Sequence, residues 1–199
     1  MKDVVTILFN DFETLDVFGP IEVLGRLPDQ FNPVFCSQSG GIVTSSQKVP
    51  VMTRPISNLK NRDYILFIPG GSGVQNLVND AGFIETLTSL AREASYILTV
   101  CTGSIVLAKT GILNGRHATS NKRLFVWTKS LPAVNWVKKA RWVKDGTIYT
   151  SSGVSAGTDM ALGFIADLVG VPAAHQVSRE IEYEWNEDPG CDPFSALYP

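Results

Sequence analysis

Tyr96-Ile97-Leu98-Thr99-Val100-Cys101-Thr102-Gly103-Ser104-Ile105 is the stretch on which the reading of this chain turns. A β-prone run ends in a cysteine, and small residues then open a helical pattern that continues through Leu107. A strand, a corner residue and a helix form the layout of a nucleophile elbow, here with cysteine in the nucleophile's place. A corner of this kind is often strained, and it raises its side chain above the carboxyl end of the sheet, the edge where open α/β sheets bind ligands. The first amides of the following helix face the sulfur, so a lowered thiol pKa is expected. The other reading of Cys101 is a small buried hydrophobe that closes a strand.

Outward from this corner, short apolar runs alternate with helical patterns, which predicts an α/β fold around a mainly parallel sheet. Asp3–Phe9, Phe31–Ser37, Tyr64–Ile68 and Tyr96–Val100 read as strands. A helix is expected from Asp16 to Leu27, with Pro20 in its first turn. Ile42–Pro55 reads as a small hairpin at the sheet edge, and Lys122–Trp127 as a short helix. Val134–Val143 and Thr147–Ser151 flank the turn signal Asp145-Gly146. Ser155–Leu168 and Pro172–Trp185 read as closing helices, and Asn186–Pro199 as a Pro-rich tail wrapping the surface. With no repeat or linker in view, residues 1–199 are read as a single domain.

Composition narrows the function classes. The chain has 199 residues and 44% hydrophobic content, enough for a real core. Its net charge of −2 offers no footprint for nucleic acid or an anionic membrane. No apolar run approaches the roughly 20 residues that span a bilayer, and the start of the chain lacks a signal-peptide core. Cys36, Cys101 and Cys191 match neither a disulfide framework nor a zinc pattern, and His117 and His175 lie far apart. A soluble cytoplasmic protein without metal or other cofactor is the expectation.

Two further segments carry chemistry. Ile68-Pro69-Gly70-Gly71-Ser72-Gly73 follows a core strand, and adjacent glycines there let backbone approach a ligand. With the Thr102 amide, such a glycine amide can form an oxyanion hole, although a plain turn reads equally well. The run fits neither a Walker pattern nor a dinucleotide fingerprint. In Phe12-Glu13-Thr14-Leu15-Asp16, an acid sits where the first strand passes into its helix. Asp16 is either the N-cap of that helix or a carboxyl group that meets Cys101 and moves a proton, and Glu13 reads as a solvated loop charge.

Taken together, LDVFGPIEVL (Leu15–Leu24), IPGGSGV (Ile68–Val74), VCTGSIVLAKTGILNGRHAT (Val100–Thr119), SSGVSAGTDMALGFIADLVG (Ser151–Gly170) and VSREIEYEW (Val177–Trp185) resemble the ThiJ/PfpI superfamily. Within it they are most similar to the isonitrile hydratases and to the sensor domains of AraC-type regulators. The resemblance implies a flavodoxin-like sandwich with helices on both faces, and a homodimer. It implies Cys101 as nucleophile with Asp16 as its acid partner, Thr102 flanking it, and Gly70, Gly71 and Tyr183 near the substrate. It also implies conversion of an isonitrile and water to an N-substituted formamide. A redox or small-ligand sensor using Cys101, and a glyoxalase- or deglycase-type activity, are the alternatives. The chain departs from the family pattern at Asn121, where a histidine is common, and across Glu182–Asn186. No helix-turn-helix segment follows, which disfavours a stand-alone regulator.

Overall fold

The computed structural model describes residues 1–59 and 63–198. Its strands are β1 (Lys2–Ile7), β2 (Phe31–Ser37), β3 (Gly41–Thr44), β4 (Pro50–Pro55), β5 (Tyr64–Ile68), β6 (Tyr96–Val100), β7 (His117–Ala118), β8 (Asn135–Trp136), β9 (Trp142–Asp145) and β10 (Ile148–Ser151). The helices are α1 (Thr14–Gly25), α2 (Val74–Leu77), α3 (Ala81–Glu93), α4 (Gly103–Lys109), α5 (Ala156–Leu168) and α6 (Val171–Glu180). Strands β7 and β8 pair apart from the main sheet. That sheet has 8 strands in the order β3-β4-β2-β1-β5-β6-β10-β9.

Strands β2, β1, β5, β6 and β10 run parallel. Counted among themselves in chain order, they lie 2-1-3-4-5, the flavodoxin-like arrangement. The expected edge hairpin is β3 against β4, and Gly146-Thr147 turns β9 back on β10, one residue beyond the expected Asp145-Gly146. Helices α1, α5 and α6 pack on one face, and α2, α3 and α4 on the other.

Cover on both faces explains the nearly unbroken apolar strands. In β5, Ile65 and Phe67 join Val23, Leu24, Phe164 and Ile165 in one core. Tyr64, Leu66 and Ile68 point the opposite way, toward Phe83, Leu87, Val106 and Leu107. Three crossovers thereby return their loops to one carboxyl edge: β1 into α1, β5 into α2, and β6 into α4. The reversal of strand order falls between β1 and β5, where this topology opens a crevice.

Three sequence expectations need correction. Helix α1 begins at Thr14 rather than Asp16, so Pro20 lies in its interior and cannot donate to the Asp16 carbonyl one turn back. The segment expected as a helix over Lys122–Trp127 is instead a 3₁₀ stretch, Phe125–Ser130. Helix α6 stops at Glu180, and Glu182 turns the chain with φ of 50°. The tail is seen to Tyr198; Pro199 lies outside the described residues.

Candidate active site

Cys101 forms the corner between β6 and α4 with φ of 57°, in the left-handed region. For a residue bearing a Cβ that conformation costs about 1 kcal/mol or more. Hydrogen bonds hold it there. The Cys101 N–H donates to the Ser151 carbonyl at 3.2 Å, and the Cys101 carbonyl accepts from Ser104 Oγ and Ser120 Oγ, each at 3.1 Å. Behind the corner, Gly103 is a steric requirement, because a Cβ there would lie 2.2 Å from the Ile68 carbonyl oxygen.

Asp16 arrives from α1 and is fully buried. It is not the cap: Glu13 occupies the N-cap position, and Asp16 lies inside the first turn. Its Oδ2 accepts from the Gly70 N–H at 2.9 Å, whereas the buried Oδ1 has no hydrogen-bond partner among the described residues. The close approach demands glycine at position 70, where a Cβ would come within 2.6 Å of the Thr102 nitrogen and 2.9 Å of Asp16 Oδ2. The Gly71 N–H donates to Thr102 Oγ1 at 3.2 Å. Both glycine amides of the β5 loop are therefore engaged by the protein's own oxygens.

The electrostatics follow from burial. Desolvation pushes the Asp16 carboxyl up to about 8; the Gly70 N–H opposes the shift, Glu13 adds to it, and the Cys101 thiol opposes it. Burial also pushes the Cys101 thiol well above its ordinary value, and the Asp16 charge pushes the same way. The Thr102 amide, Asn121 and the Thr102 hydroxyl act against that rise. The expectation of a lowered thiol pKa is thus overturned. Cys101 is only 6% exposed, and desolvation beside a carboxyl group outweighs the few amides of a short helix. The resting site is a thiol beside a carboxylic acid, an arrangement that can pass one proton between two heteroatoms.

Asn121 is the site residue to which the sequence assigned no role. Its Nδ2 donates to Cys101 Sγ at 3.1 Å. Its Oδ1 accepts from the Arg123 N–H at 2.9 Å and the Leu124 N–H at 3.3 Å, which fixes the amide's orientation. Its one visible signal was the replacement of a common histidine at this place.

Beside the thiol lies a cleft of about 240 Å³. Cys101 is not in its wall, but Asn121 and Leu15, the neighbour of Asp16, are. Phe194 and Tyr198 bring the tail into the same wall. Lys122 is almost fully buried, its Nζ donating to Thr119 Oγ1 at 2.6 Å and to the Ala140 carbonyl at 2.9 Å. Asp192 of the tail pairs with Lys122 at 3.4 Å and accepts from Ser152 Oγ at 2.8 Å. Burial lowers the Lys122 ammonium to about 8, with Asp192 pulling it back up. A second buried pair joins Arg141 Nε to Asp159 Oδ2 at 2.6 Å. Tyr183 sits against Asp159 and Arg141, with its hydroxyl pKa raised by burial first and by Asp159 next. Cys101, Asp16, Thr102, Gly70 and Gly71 therefore converge, while Tyr183 stands apart from the cleft wall. Among the described residues, no group of three or more His, Cys, Asp or Glu is placed to hold a metal. No helix among them is long and apolar enough to cross a membrane.

Known proteins share this arrangement of chain. Isonitrile hydratase of Pseudomonas putida is 33% identical over 181 residues, covering 89% of this chain and 76% of that protein. The transcriptional regulator CdhR of Pseudomonas aeruginosa is 31% identical over 164 residues, 81% of this chain, but the chain spans only 48% of the regulator's length. The crystal structure of a ThiJ/PfpI family protein from Pseudomonas syringae superposes with a TM-score of 0.82 at 26% identity, over 93% of this chain and 76% of the other. The DJ-1/PfpI family model matches residues 2–167, a span that holds the corner cysteine, the buried aspartate and the glycine loop between them. The chain belongs to the DJ-1/PfpI family.

Proposed function

We propose that the protein hydrates small isonitriles by covalent catalysis, with Cys101 as nucleophile and Asp16 as its proton partner. The observation that carries this reading is the fully buried Asp16 carboxyl, held by the Gly70 N–H beside the Cys101 corner, where burial raises its pKa to about 8. In the first step the sulfur bonds to the terminal isonitrile carbon while that carbon gains a proton from Asp16. The thiol proton returns to the carboxyl group, so Asp16 ends the step as it began, and the product is a thioimidate, R–N=CH–S–Cys101. Water then adds to this carbon, the C–S bond breaks with the electron pair leaving on sulfur, and the proton balance restores the thiol. The net change is R–NC plus water to R–NH–CHO. Because the carboxyl relays the proton during attack, the reaction needs no resting thiolate. Thr102 stands beside the sulfur, and its hydroxyl holds the Gly71 amide.

The relative from Pseudomonas putida is named for this activity, which supports the choice of substrate class. The test is formation of an N-alkylformamide from a simple alkyl isonitrile, followed in the unmodified protein, Cys101→Ala and Asp16→Asn. Cys101→Ala is expected to be inactive, and Asp16→Asn slower by at least about a hundredfold, within the range for lost acid–base help. Full activity in Cys101→Ala, or none in the unmodified protein, refutes the reading.

A further inference from the structure

The cleft beside Cys101 has a charge pattern that the hydration chemistry does not require. Its charged wall residues are Lys122, Arg123 and Arg141, all cationic, in a chain whose net charge is −2. Two of them are already neutralised, Lys122 by Asp192 and Arg141 by Asp159. Arg123 differs. Its side chain is exposed and forms no ion pair among the described residues. Its backbone N–H is anchored to Asn121 Oδ1 at 2.9 Å, and the same asparagine touches the Cys101 sulfur. The backbone that carries this guanidinium is thus anchored two residues from the thiol's own hydrogen-bond donor, while Asp16 adds no opposing charge as long as it stays protonated.

We propose that this cleft selects small electrophiles that carry a carboxylate, with Arg123 as the group that receives it. The inference rests on the reading of Cys101 as the attacking group. A guanidinium matches a carboxylate with paired donors, and a cleft with one excess positive charge concentrates anions. Leu15 and Phe194 supply apolar wall for a short carbon chain, and about 240 Å³ leaves room for little more.

Two alkylating reagents of nearly equal size separate charge from shape. Iodoacetate carries the carboxylate and iodoacetamide does not. The rate of Cys101 labelling by each, mapped by mass spectrometry at pH 7.5, gives a ratio to compare with that of 2-mercaptoethanol. The ratio at Cys101 is expected to favour iodoacetate by about threefold or more over the small thiol, the size of one nearby charge in a solvated cleft. Arg123→Gln should bring it down toward the small-thiol value, and Arg123→Lys should retain most of it. A ratio no higher than that of 2-mercaptoethanol, a ratio unmoved by Arg123→Gln, or a Cys101 that neither reagent labels overturns the proposal. Labelling needs no turnover, so a protein that prefers iodoacetate yet converts no isonitrile refutes the hydratase reading and sustains this one. Turnover of a neutral isonitrile without the anion preference does the reverse.

Discussion

A carboxyl group that keeps its proton to about pH 8 makes the folded state sensitive to base rather than acid. Asp16 has an ordinary value of 3.8, so between there and about 8 the native protein holds a proton that the unfolded chain has released. Stability from this group is therefore fully present below about pH 4 and is lost as pH rises through the interval, by about 1.4 kcal/mol per unit for one proton. Asp16→Asn removes that slope while its side-chain oxygen can still accept from the Gly70 N–H. Melting temperatures of mutant and parent measured from pH 5 to 8 should shift steadily in the mutant's favour as pH rises; parallel curves would show that Asp16 is ionised throughout. Asn121 offers a separate test. Asn121→Ala deletes the donor to sulfur, and turnover is expected to fall by about ten- to a hundredfold, the value of a hydrogen bond to a group developing charge. Neither the Asp16 proton nor the Asn121 contact was legible in the sequence. Burial and a bond spanning 20 positions are made by tertiary packing, whereas the candidacy of Cys101 and Asp16 shows in their places at strand ends.

The elements around the corner tolerate little backbone change. Gly103→Ala would drive a methyl group into the Ile68 carbonyl, where neither backbone can retreat without breaking the β5–β6 ladder. A loss of about 2 kcal/mol or more is expected, read from urea midpoints; a shift under about 0.5 kcal/mol would mean that the corner is plastic. The parallel core was readable at this scale because β1, β5 and β6 are short, nearly continuous apolar runs, as strands covered on both faces are. Two of the boundaries that failed share one physical cause. Asn121 caps the Arg123 and Leu124 amides with its side chain, and Lys122 is drawn inward to Ala140 and Asp192, so the turn after Ser120 is set by distant partners rather than local periodicity. The start of α1 moved for a similar reason: Gln47 Oε1 accepts from the Thr14 N–H at 3.0 Å, which ties that end to the β3–β4 hairpin.

For the molecule as a whole, the tail is part of the site's support. Asp192→Asn keeps the cap on Phe194 but strands the Lys122 cation among carbonyl groups, and about 3 kcal/mol of stability should disappear at pH 7. Faster proteolysis within residues 186–198 of the mutant would locate that loss in the tail; an unchanged cleavage rate would place it elsewhere. At the far edge of the sheet, Ile42 and Met52 face each other across β3 and β4 and are 64% and 68% exposed. A second copy of the chain is expected to cover apolar edge surface of this kind, and light scattering should give about twice 21.7 kDa; the monomer mass at micromolar concentration would exclude a dimer. The position of Tyr198 in the cleft wall also bears on how the protein is handled. A purification tag joined directly behind Tyr198 is expected to lie at the mouth of the cleft and to hinder the entry of small molecules. One fused at the N-terminus emerges ahead of β1, at the opposite end of the sheet, and leaves the cleft open to solvent.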